Sequence, residues 1–346
     1  MPTSSIPNFA YRLIDWHKLH GRHDLPWQNT RDPYRIWVSE IMLQQTQVSS
    51  VIPYFQRFMA RFPDVASLAA ASVDDVLAHW SGLGYYARGR NLHAAAQLIV
   101  ARHAGQFPQA TTSIESLPGI GRSTAAAIAA FAFGMRGAIL DGNVKRVLAR
   151  CFGVEGYPGE QAVQQRLWTL AESLLPATQI EIYTQALMDL GATLCTRGKP
   201  RCTSCPMQEL CVAYQTRRTA ELPTRKPKAA LPQRESVMLI LQQGREVLLE
   251  KRPSSGIWGG LWCFPEIAPD AILQTQLMQR FGVEARRTQA LAPLAHTFTH
   301  FHLTLRPLWV AASAPLSVPP GQVWLSVIDA RGAAIPTPVR KLLERL

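Results

Sequence analysis

The most constraining feature of this sequence is a change in its hydrophobic pattern after about residue 215. Before that point apolar residues recur every three or four positions, as in helices, whereas beyond residue 234 they form short runs typical of strands. Between them, Leu222–Arg234 carries three prolines among basic residues, which favours an extended connector. We therefore predict a multi-domain chain, with an all-α domain at residues 1–221, a linker at 222–234 and an α+β domain at 235–346.

The clearest elements can be predicted individually. Ile36–Phe58 is predicted to be helical, because its apolar residues can share one stripe and Pro33 stands near its start. Thr124–Ala132 is rich in alanine, the best helix former. The elements predicted for the second domain are strands at Val237–Leu241, Val247–Leu249 and Phe301–Val310, and a helix near Ala271–Phe281.

The charge of the chain narrows its partners. Lysine and arginine outnumber aspartate and glutamate by 36 to 24, which gives a formal net charge of +12. Nucleic acid fits that balance, although a basic surface without a partner gives the same count. The first residues lack a secretory-signal pattern, and no run reaches the ~18 apolar residues of a membrane span. We expect a cytosolic protein with no membrane partner.

A glycine-rich turn precedes a helix at Leu117–Ala125. Gly119 and Gly121 let the backbone bend and approach a ligand, and the amides that follow at Arg122 and Ser123 form a seat for a phosphate. The pattern is that of a helix-hairpin-helix element. Such a turn is also common without a ligand, so the motif alone leaves DNA binding open.

Two acidic residues occupy unusual positions. Asp141 lies between the apolar pair Ile139-Leu140 and Gly142, where it suits a helix cap as well as a catalytic role. Glu40 lies in an apolar helix, where burial would raise its pKa and keep a transferable proton, with a surface ion pair as the alternative. Breaking a glycosidic bond requires a carboxylate near the sugar and a proton donor near the departing base. The pair is therefore typical of glycosidic-bond chemistry.

Together these segments resemble the endonuclease III-like superfamily, and within it the adenine DNA glycosylase family of the MutY type. The segments that carry the resemblance are Leu25–Trp27, Ser39–Val48, Gly82–Arg88, Leu117–Ala125, Ile139–Arg150 and Met188–Ala192. It covers nearly the whole chain and is strongest before residue 215. It implies a helical glycosylase domain that flips its target nucleotide into a cleft. It further implies a monomer that removes adenine mispaired with 8-oxoguanine or guanine in double-stranded DNA.

The resemblance implies roles for single residues. Glu40 would protonate adenine at N7 and then help to activate water, while Asp141 would stabilise or trap the sugar cation, with Asn143 beside it. The residues implied to bind DNA are Gln44, Gln45, Tyr85, Gly119, Gly121, Arg122 and Ser123, the first three by entering the duplex. Those implied to line the adenine pocket are Leu25, Trp27 and Gln185. Without the resemblance, Gln44, Gln45 and Tyr85 would be interpreted as a polar helix face and a core tyrosine.

Ser123 separates two reaction types within the superfamily. Members that also cut the strand carry a lysine at this position, two residues after the second hairpin glycine, and its amine forms a Schiff base with the sugar. Serine has no such amine. The resemblance therefore implies a monofunctional glycosylase rather than a combined glycosylase and lyase.

Four of the six cysteines crowd into residues 195–211. Cys195, Cys202, Cys205 and Cys211 follow the spacing C-x6-C-x2-C-x5-C, and spacing alone allows zinc or an iron-sulfur cluster. The resemblance implies a [4Fe-4S] cluster. Because Arg197, Lys199 and Arg201 stand in the loop, it implies a basic surface that grips phosphates rather than a redox centre.

The second domain resembles a Nudix domain through Lys251–Pro265. The acidic metal-binding box of the Nudix hydrolases is missing, since Gln274, Gln276, Gln279 and Arg280 stand where glutamates would cluster and only Glu284 follows. We therefore expect recognition rather than hydrolysis.

A histidine-rich run, His296–His302, allows two interpretations. Alternation along one strand would place three histidines on one face, as in a metal site. The resemblance instead implies that Phe298, Thr299 and His300 form a loop that inspects 8-oxoguanine, with Thr299 where the family typically has serine.

Three other functions remain as alternatives. A bifunctional endonuclease III-like enzyme is disfavoured by Ser123 and by the second domain. A non-catalytic DNA-binding protein is disfavoured because Glu40 and Asp141 would weaken affinity for a polyanion. A Nudix nucleotide hydrolase is disfavoured by the missing acidic box.

Overall fold

The structure, a computed structural model, describes residues 6–226, 230–313 and 318–346. These residues form two compact units. The first comprises the described residues up to Ala69 and from Ala94 to Lys226, and the second comprises Ala70–His93 with the described residues from Ala230 onward. Of the predicted linker, residues 227–229 lie outside the described residues.

The chain is helical up to its linker, as predicted. The helices are α1 (Ile6–His20), α2 (Pro33–Leu43), α3 (Val48–Arg61), α4 (Val65–Ala70), α5 (Val73–Trp80), α6 (Ala87–His103), α7 (Thr111–Glu115), α8 (Arg122–Phe133), α9 (Gly142–Cys151), α10 (Gln161–Ser173), α11 (Ile180–Asp189) and α12 (Val212–Gln215). A π-helical turn, Leu190–Leu194, continues α11.

The predicted helix at Ile36–Phe58 is wrong in one respect, because it is two helices. α2 ends at Leu43 and α3 starts at Val48. Between them Gln45 adopts a left-handed backbone conformation, with φ of 57°. A helix of L-residues cannot continue through that conformation, so the chain turns there. The shared apolar stripe concealed this break from the sequence.

The core of the first unit lies where α8, α9 and α11 meet. Small buried side chains at Ala126, Ala127 and Ala130 let α8 pack closely against its neighbours. Val147 and Leu187 fill the same cluster. α2 packs against α8, and α1 packs against α11. The element that carries Glu40 and the one that follows the hairpin therefore lie side by side.

The second unit is built on one mixed sheet. Its elements are β1 (Gln233–Gln243), β2 (Glu246–Lys251), β3 (Trp262–Cys263), β4 (Glu266–Ile267), α13 (Leu273–Phe281), β5 (Ala285–Ala290), β6 (Leu294–Thr297), β7 (His302–Ala312), β8 (Gln322–Ser326), α14 (Val327–Gly332) and α15 (Thr337–Leu343). The central order is β3-β2-β1-β7-β5, in which β1 and β7 are parallel. β4 pairs with β1, β6 with β7 and β8 with β2.

Helices cover both faces of this sheet. Met238 and Ile240 of β1 pack in one apolar cluster with Leu342 of α15, and Leu239 packs in another with Leu277 of α13. Two covered faces explain the unbroken apolar run in β1. The α+β class is confirmed. The predicted strands Val237–Leu241 and Val247–Leu249 lie inside β1 and β2, and the bounds of the third predicted strand and of the helix differ from those of β7 and α13 by at most two residues. β3, β4, β5, β6 and β8 were missed, because they are short or mostly polar.

The segment Ala70–His93 packs within the second unit, which sequence pattern did not reveal. Leu77 of α5 is fully buried in the cluster on the α15 side of the sheet. Asp74 forms an ion pair with Lys251 at 2.7 Å. The Ser81 hydroxyl donates to the Ile335 carbonyl at 2.6 Å.

In the part of the chain that the structure describes, no helix is long and apolar enough to cross a membrane.

Candidate active site

Glu40 lies in the last turn of α2, on the wall of a cavity. The Asp32 side chain caps α2 by accepting from the Tyr34 amide at 2.9 Å, and Pro33 occupies the first turn. Neighbouring side chains of α2, among them Trp37 and Ile41, are buried. Burial, and then the negative charge of Asp141, raises the pKa of Glu40 to about 8. Glu40 therefore keeps its proton at neutral pH.

Asp141 stands at the N-terminus of α9. Its Oδ1 accepts from the Val144 amide at 2.8 Å, so the residue is a helix cap and also a candidate catalytic acid. Burial raises the pKa of Asp141, although amide hydrogen bonds from Val144 and Asn143 act to lower it. The two interpretations left open by the sequence are compatible, since one oxygen suffices for the cap.

The turn before α9 is held by a side chain of α8. The Leu140 amide donates to the Ser123 hydroxyl at 2.9 Å. The position that would carry a lysine in strand-cutting relatives thus supports the backbone next to Asp141.

Asn143 follows in the first turn of α9 and is held from two sides. Its Oδ1 accepts from Arg146 at 2.8 Å. On the other side, a Cβ placed on Gly191 would lie 2.6 Å from the Asn143 Cβ, a separation that real atoms do not tolerate. Glycine at 191 is therefore required for the close approach between α9 and the turn after α11.

The cavity beside Glu40 has a volume of about 400 Å³ and lies within the first unit. Trp27 and Gln185, both predicted to line the adenine pocket, border it together with Glu40. Trp27 is buried and packs edge-on against Phe55, with ring centroids 5.4 Å apart. The predicted pocket residue Leu25 lies in the adjoining turn but does not border this cavity, so the structure brings three of these four residues together.

A buried ionic cluster adjoins this cavity, and sequence reasoning missed it. Asp189 is fully buried and accepts from the backbone amide and guanidinium of Arg22, while His17 Nε2 lies 3.3 Å from its Oδ2. Gln185 Nε2 donates to Asp189 Oδ1 at 2.9 Å. The only signal in the sequence is one acid, Asp189, within the apolar end of α11, and it does not indicate a buried partner.

The helix-hairpin-helix element is present between α7 and α8. Gly119 has φ of 81°, in the region that favours glycine. Gly121 is the N-cap of α8, and no side chain at that residue caps the first amides. The space where a Gly121 side chain would stand is open. The geometry is that of a helix N-terminus available to an anion.

Arg122, predicted to bind DNA, already has partners. Its guanidinium pairs with Glu172 and lies 4.0 Å from the centre of the Trp168 ring. Both contacts must be exchanged before the side chain can reach a phosphate.

Two of the three residues predicted to enter the duplex have a strained backbone. Gln45, in the turn after α2, is exposed with φ of 57°, and Tyr85, in the second unit, is 46% exposed with φ of 49°. Non-glycine residues seldom adopt this conformation, and those that do cluster at functional sites. Gln44 instead faces the hairpin, with its Nε2 3.5 Å from the Gly119 carbonyl and 3.4 Å from the Thr124 hydroxyl.

Comparison with known proteins assigns this chain to a family. A model described as HhH-GPD superfamily base excision DNA repair protein matches residues 38–173, and a NUDIX domain model matches residues 236–345. An adenine DNA glycosylase of Buchnera aphidicola subsp. Acyrthosiphon pisum is 36% identical over 339 residues, covering 97% of each chain. An adenine DNA glycosylase of Mus musculus is 35% identical over 403 residues, covering 99% of this chain and 78% of its own. The chain belongs to the adenine DNA glycosylase family.

The helical part also has a structural relative. The structure of a thermostable thymine-DNA glycosylase is 30% identical, with a TM-score of 0.57, and covers 62% of this chain and 99% of its own. The predicted two-part fold, a helix-hairpin-helix domain followed by a Nudix-like domain, is confirmed. As an adenine DNA glycosylase, the protein is a base-excision repair enzyme that hydrolyses N-glycosyl bonds in DNA.

The four clustered cysteines of this glycosylase border one small cavity in the first unit. Burial raises the pKa of Cys205 to about 12, whereas a hydrogen bond from Cys151 lowers the pKa of Cys211 to about 6. Arg150 of α9 donates to Cys195 Sγ at 3.4 Å and to the Thr196 carbonyl at 2.8 Å. The cysteine loop is therefore tied to the helix that Asp141 caps.

We also searched the described residues for side chains that could ligate a single metal ion. Within the described ranges, no three His, Cys, Asp or Glu side chains converge closely enough to hold one ion. The alternative of a histidine metal site at His296–His302 assumed that the run forms a single strand. That run is a hairpin rather than one strand, with His296 on β6, His302 on β7 and His300 in the turn between them.

The tip of this hairpin presents two of the three residues predicted to inspect 8-oxoguanine. Thr299 and His300 are exposed. Phe298 is held in place, stacked on Phe301 at 4.6 Å and packed against Trp258 at 5.5 Å. Phe298 thus supports the turn while Thr299 and His300 face solvent.

Two acidic residues in the Nudix-like part of this glycosylase are paired with arginines. Arg280 pairs with Glu250 at 2.9 Å, and Arg252 pairs with Glu266 at 2.8 Å. Both carboxylates are thereby occupied by guanidinium groups.

Proposed function

We propose that this enzyme removes adenine opposite 8-oxoguanine or guanine in duplex DNA and leaves the strand uncut. The observation that carries the proposal is the carboxyl pair of Glu40 and Asp141, electrostatically coupled, with Glu40 on the wall of a base-sized cavity. Relatives named as adenine DNA glycosylases support the choice of base.

The two carboxyls have different tasks in this proposal. Glu40, which burial keeps protonated at neutral pH, donates its proton to N7 of the departing adenine. Asp141 supplies the negative charge that stabilises the sugar cation, and Asn143 lies beside it. After the base has left, the Glu40 carboxylate accepts a proton from the attacking water. One neutral and one charged carboxyl group is the arrangement that glycoside cleavage requires.

Strand cleavage is absent from this scheme because no amine occupies position 123. The Ser123 hydroxyl is engaged with the Leu140 amide, so its support of the turn before Asp141 replaces covalent chemistry. A bifunctional reaction gains no support from this geometry.

In this proposal the helix-hairpin-helix turn holds the DNA backbone, and other side chains enter the duplex. The first amides of α8, after Gly119 and Gly121, bind a backbone phosphate, with Arg122 released from Glu172 to assist. Gln44, Gln45 and Tyr85 fill the space that the flipped nucleotide leaves. The opposite base is inspected at the tip of the β6–β7 hairpin, where Thr299 and His300 offer hydrogen-bonding groups and Phe298 supports them.

We further propose that Cys195, Cys202, Cys205 and Cys211 hold a [4Fe-4S] cluster. Their fit rests on four thiols around one cavity, with Arg150 placed to compensate negative charge on sulfur. When bound, the cluster would cross-link a loop that carries Arg197, Lys199 and Arg201, and these side chains bind phosphates. A broad visible absorbance that Cys202→Ser removes, and Cys263→Ser keeps, would support the assignment, whereas stoichiometric zinc in colourless protein would contradict it.

The functional division at residues 1–221 and 235–346 remains a prediction, as do the monomeric state and action on DNA in the cytosol. The point to test is whether the second part of the chain recognises the opposite base while the first part cleaves the glycosidic bond. Removing the hairpin-tip contacts by His300→Ala should lower the preference for 8-oxoguanine over guanine while leaving the strand uncut.

The test of the proposed function is adenine release under single turnover from duplexes with adenine opposite 8-oxoguanine, guanine or thymine. We expect rapid release opposite the first two, slow release opposite thymine, and strand breaks only after alkali. Equal release opposite all three bases would contradict the mismatch assignment. Strand breaks without alkali would contradict the monofunctional one.

A further inference from the structure

Asp189 has no role in the proposed reaction. Its carboxylate is fully buried where α1, the turn after it and α11 meet. Arg22 holds it from three atoms, with the backbone amide 2.8 Å from Oδ2 and with Nε and Nη2 at 2.8 and 2.6 Å from Oδ1. His17, itself buried against Gly21, lies 3.3 Å away. Because a well-packed apolar cluster would stabilise the fold as well as such an ion cluster, stability alone does not account for it.

The same carboxylate touches a residue of the cavity wall. Burial by itself would raise the pKa of Asp189, but the nearby His17 side chain and the hydrogen bonds from Arg22 outweigh it and hold the pKa below its ordinary value. Asp189 is thus ionised and can only accept hydrogen bonds. Gln185 Nε2, 2.9 Å from Oδ1, must be the donor.

This contact fixes which way the Gln185 amide faces. Turning the amide over would place its Oε1 against the Asp189 carboxylate, and two acceptors repel. Gln185 therefore offers its carbonyl oxygen as the acceptor on its other side, where it borders the cavity. Adenine carries an amino donor at C6, whereas hypoxanthine and guanine carry an oxygen there. An acceptor in the wall satisfies the first and repels the others.

We propose that Asp189, with Arg22 and His17, is a positioning group that locks the Gln185 amide and thereby makes the cavity select a 6-amino purine over a 6-oxo purine. The inference rests on the proposed function in one respect, namely that the flipped base occupies the cavity beside Gln185.

The experiment measures single-turnover release of adenine, unsubstituted purine and hypoxanthine opposite one common base. Purine lacks any C6 group, so the adenine-to-purine ratio reports the contact with the amino group. Gln185→Met, which removes the amide, should reduce this ratio about tenfold. Asp189→Asn leaves the cavity wall intact but lets the amide turn over. It should reduce the same ratio and raise hypoxanthine release relative to adenine about tenfold.

A reversed pair supplies a rescue. In the double variant Gln185→Glu with Asp189→Asn, the carboxylate stands at the cavity and presents only acceptors, whichever way it turns. Selectivity for adenine over hypoxanthine should return to within a few-fold of wild type. The double variant keeps one carboxylate in the cluster, so it carries the test if Asp189→Asn alone fails to fold. Asp15→Asn, the same change on the exposed side of α1, is the matched control and should alter nothing.

The outcomes separate the two proposals. If Gln185→Met keeps the wild-type adenine-to-purine ratio, the base does not sit beside Gln185, and the pocket assignment falls together with this inference. If Gln185→Met loses the ratio but Asp189→Asn keeps it, or slows all three bases equally, Asp189 is only structural and this inference falls alone. A double variant that folds but fails to recover selectivity also overturns it.

Discussion

Replacing Glu40 by glutamine should stabilise the enzyme at neutral and alkaline pH while abolishing its activity. The folded protein holds a proton on Glu40 up to a pKa of about 8, whereas the unfolded chain releases that proton near the ordinary value of 4.5. Since the folded state binds the extra proton, the free energy of unfolding must fall as the pH rises from about 4.5 to 8. Glutamine removes this dependence because its amide does not titrate.

The magnitude follows from the distance between the two pKa values. Each pH unit between them costs about 1.4 kcal/mol, so the wild type has lost about 3 kcal/mol by pH 7 and about 5 kcal/mol by pH 9. For a helical unit of this size, 3 kcal/mol corresponds to a rise of about 6 to 12 °C in Tm. At pH 5 the wild type and Glu40→Gln should differ by less than about 1 kcal/mol.

The assay is scanning calorimetry of the full chain at pH 5, 7 and 9, following the transition that Glu40→Gln shifts. Glu115→Gln, a change at an exposed glutamate of the same unit, serves as the control and should leave the Tm unchanged. Base release by the wild type should also fall as the pH rises through about 8, because the proton donor is then lost. A stability gain that is equal at pH 5 and pH 9, or no gain at all, would refute a buried protonated Glu40.

Two further substitutions test how the site is supported. Gly191→Ala should slow adenine release about tenfold to hundredfold and cost about 1 to 3 kcal/mol of stability, because the new Cβ would collide with Asn143. Gly142→Ala is the control and should change neither quantity, because the space beside Gly142 is open. Equal melting temperatures and equal release rates for the two variants would contradict the close approach of Gly191 to Asn143. Glu172→Gln frees Arg122 and should tighten duplex binding several-fold at low salt with a steeper salt dependence in a titration, whereas weaker binding would show that the ion pair positions Arg122 for DNA.

The sequence predicted most of the fold where local pattern and packing agree. The apolar run in β1 and the alanine-rich α8 were identified because each buries the faces that its composition suggests. The break at Gln45 could not be seen, because α2 and α3 continue the same apolar periodicity and only the backbone conformation of one residue separates them. Assignment of Ala70–His93 to the second unit depends on long-range contacts such as Asp74 with Lys251, which local pattern does not encode.

For the site, the chemistry-bearing residues could be predicted but not their supports. Glu40 and Asp141 stand out as acids in apolar surroundings. α2 packs against α8 and α9 packs against α11, which itself contacts α8, and the negative charge of Asp141 is near enough to raise the pKa of Glu40. The cluster around Asp189 joins residues 167 positions apart, Arg22 and Asp189, and no spacing rule connects them. The ion pair between Arg122 and Glu172 could not be predicted from the sequence either, since the two residues are 50 positions apart.

The central claim is that a protonated Glu40 and a charged Asp141 together break the bond to adenine. The most direct test compares single-turnover adenine release and duplex binding for the wild type, Glu40→Gln, Asp141→Asn and Glu181→Gln, the last changing another carboxyl on the cavity wall that carries Glu40. We predict that Glu40→Gln and Asp141→Asn bind the duplex as the wild type does but release adenine at least a hundredfold more slowly, while Glu181→Gln stays within a few-fold of wild type. Release by Glu40→Gln or Asp141→Asn at the wild-type rate would contradict the account.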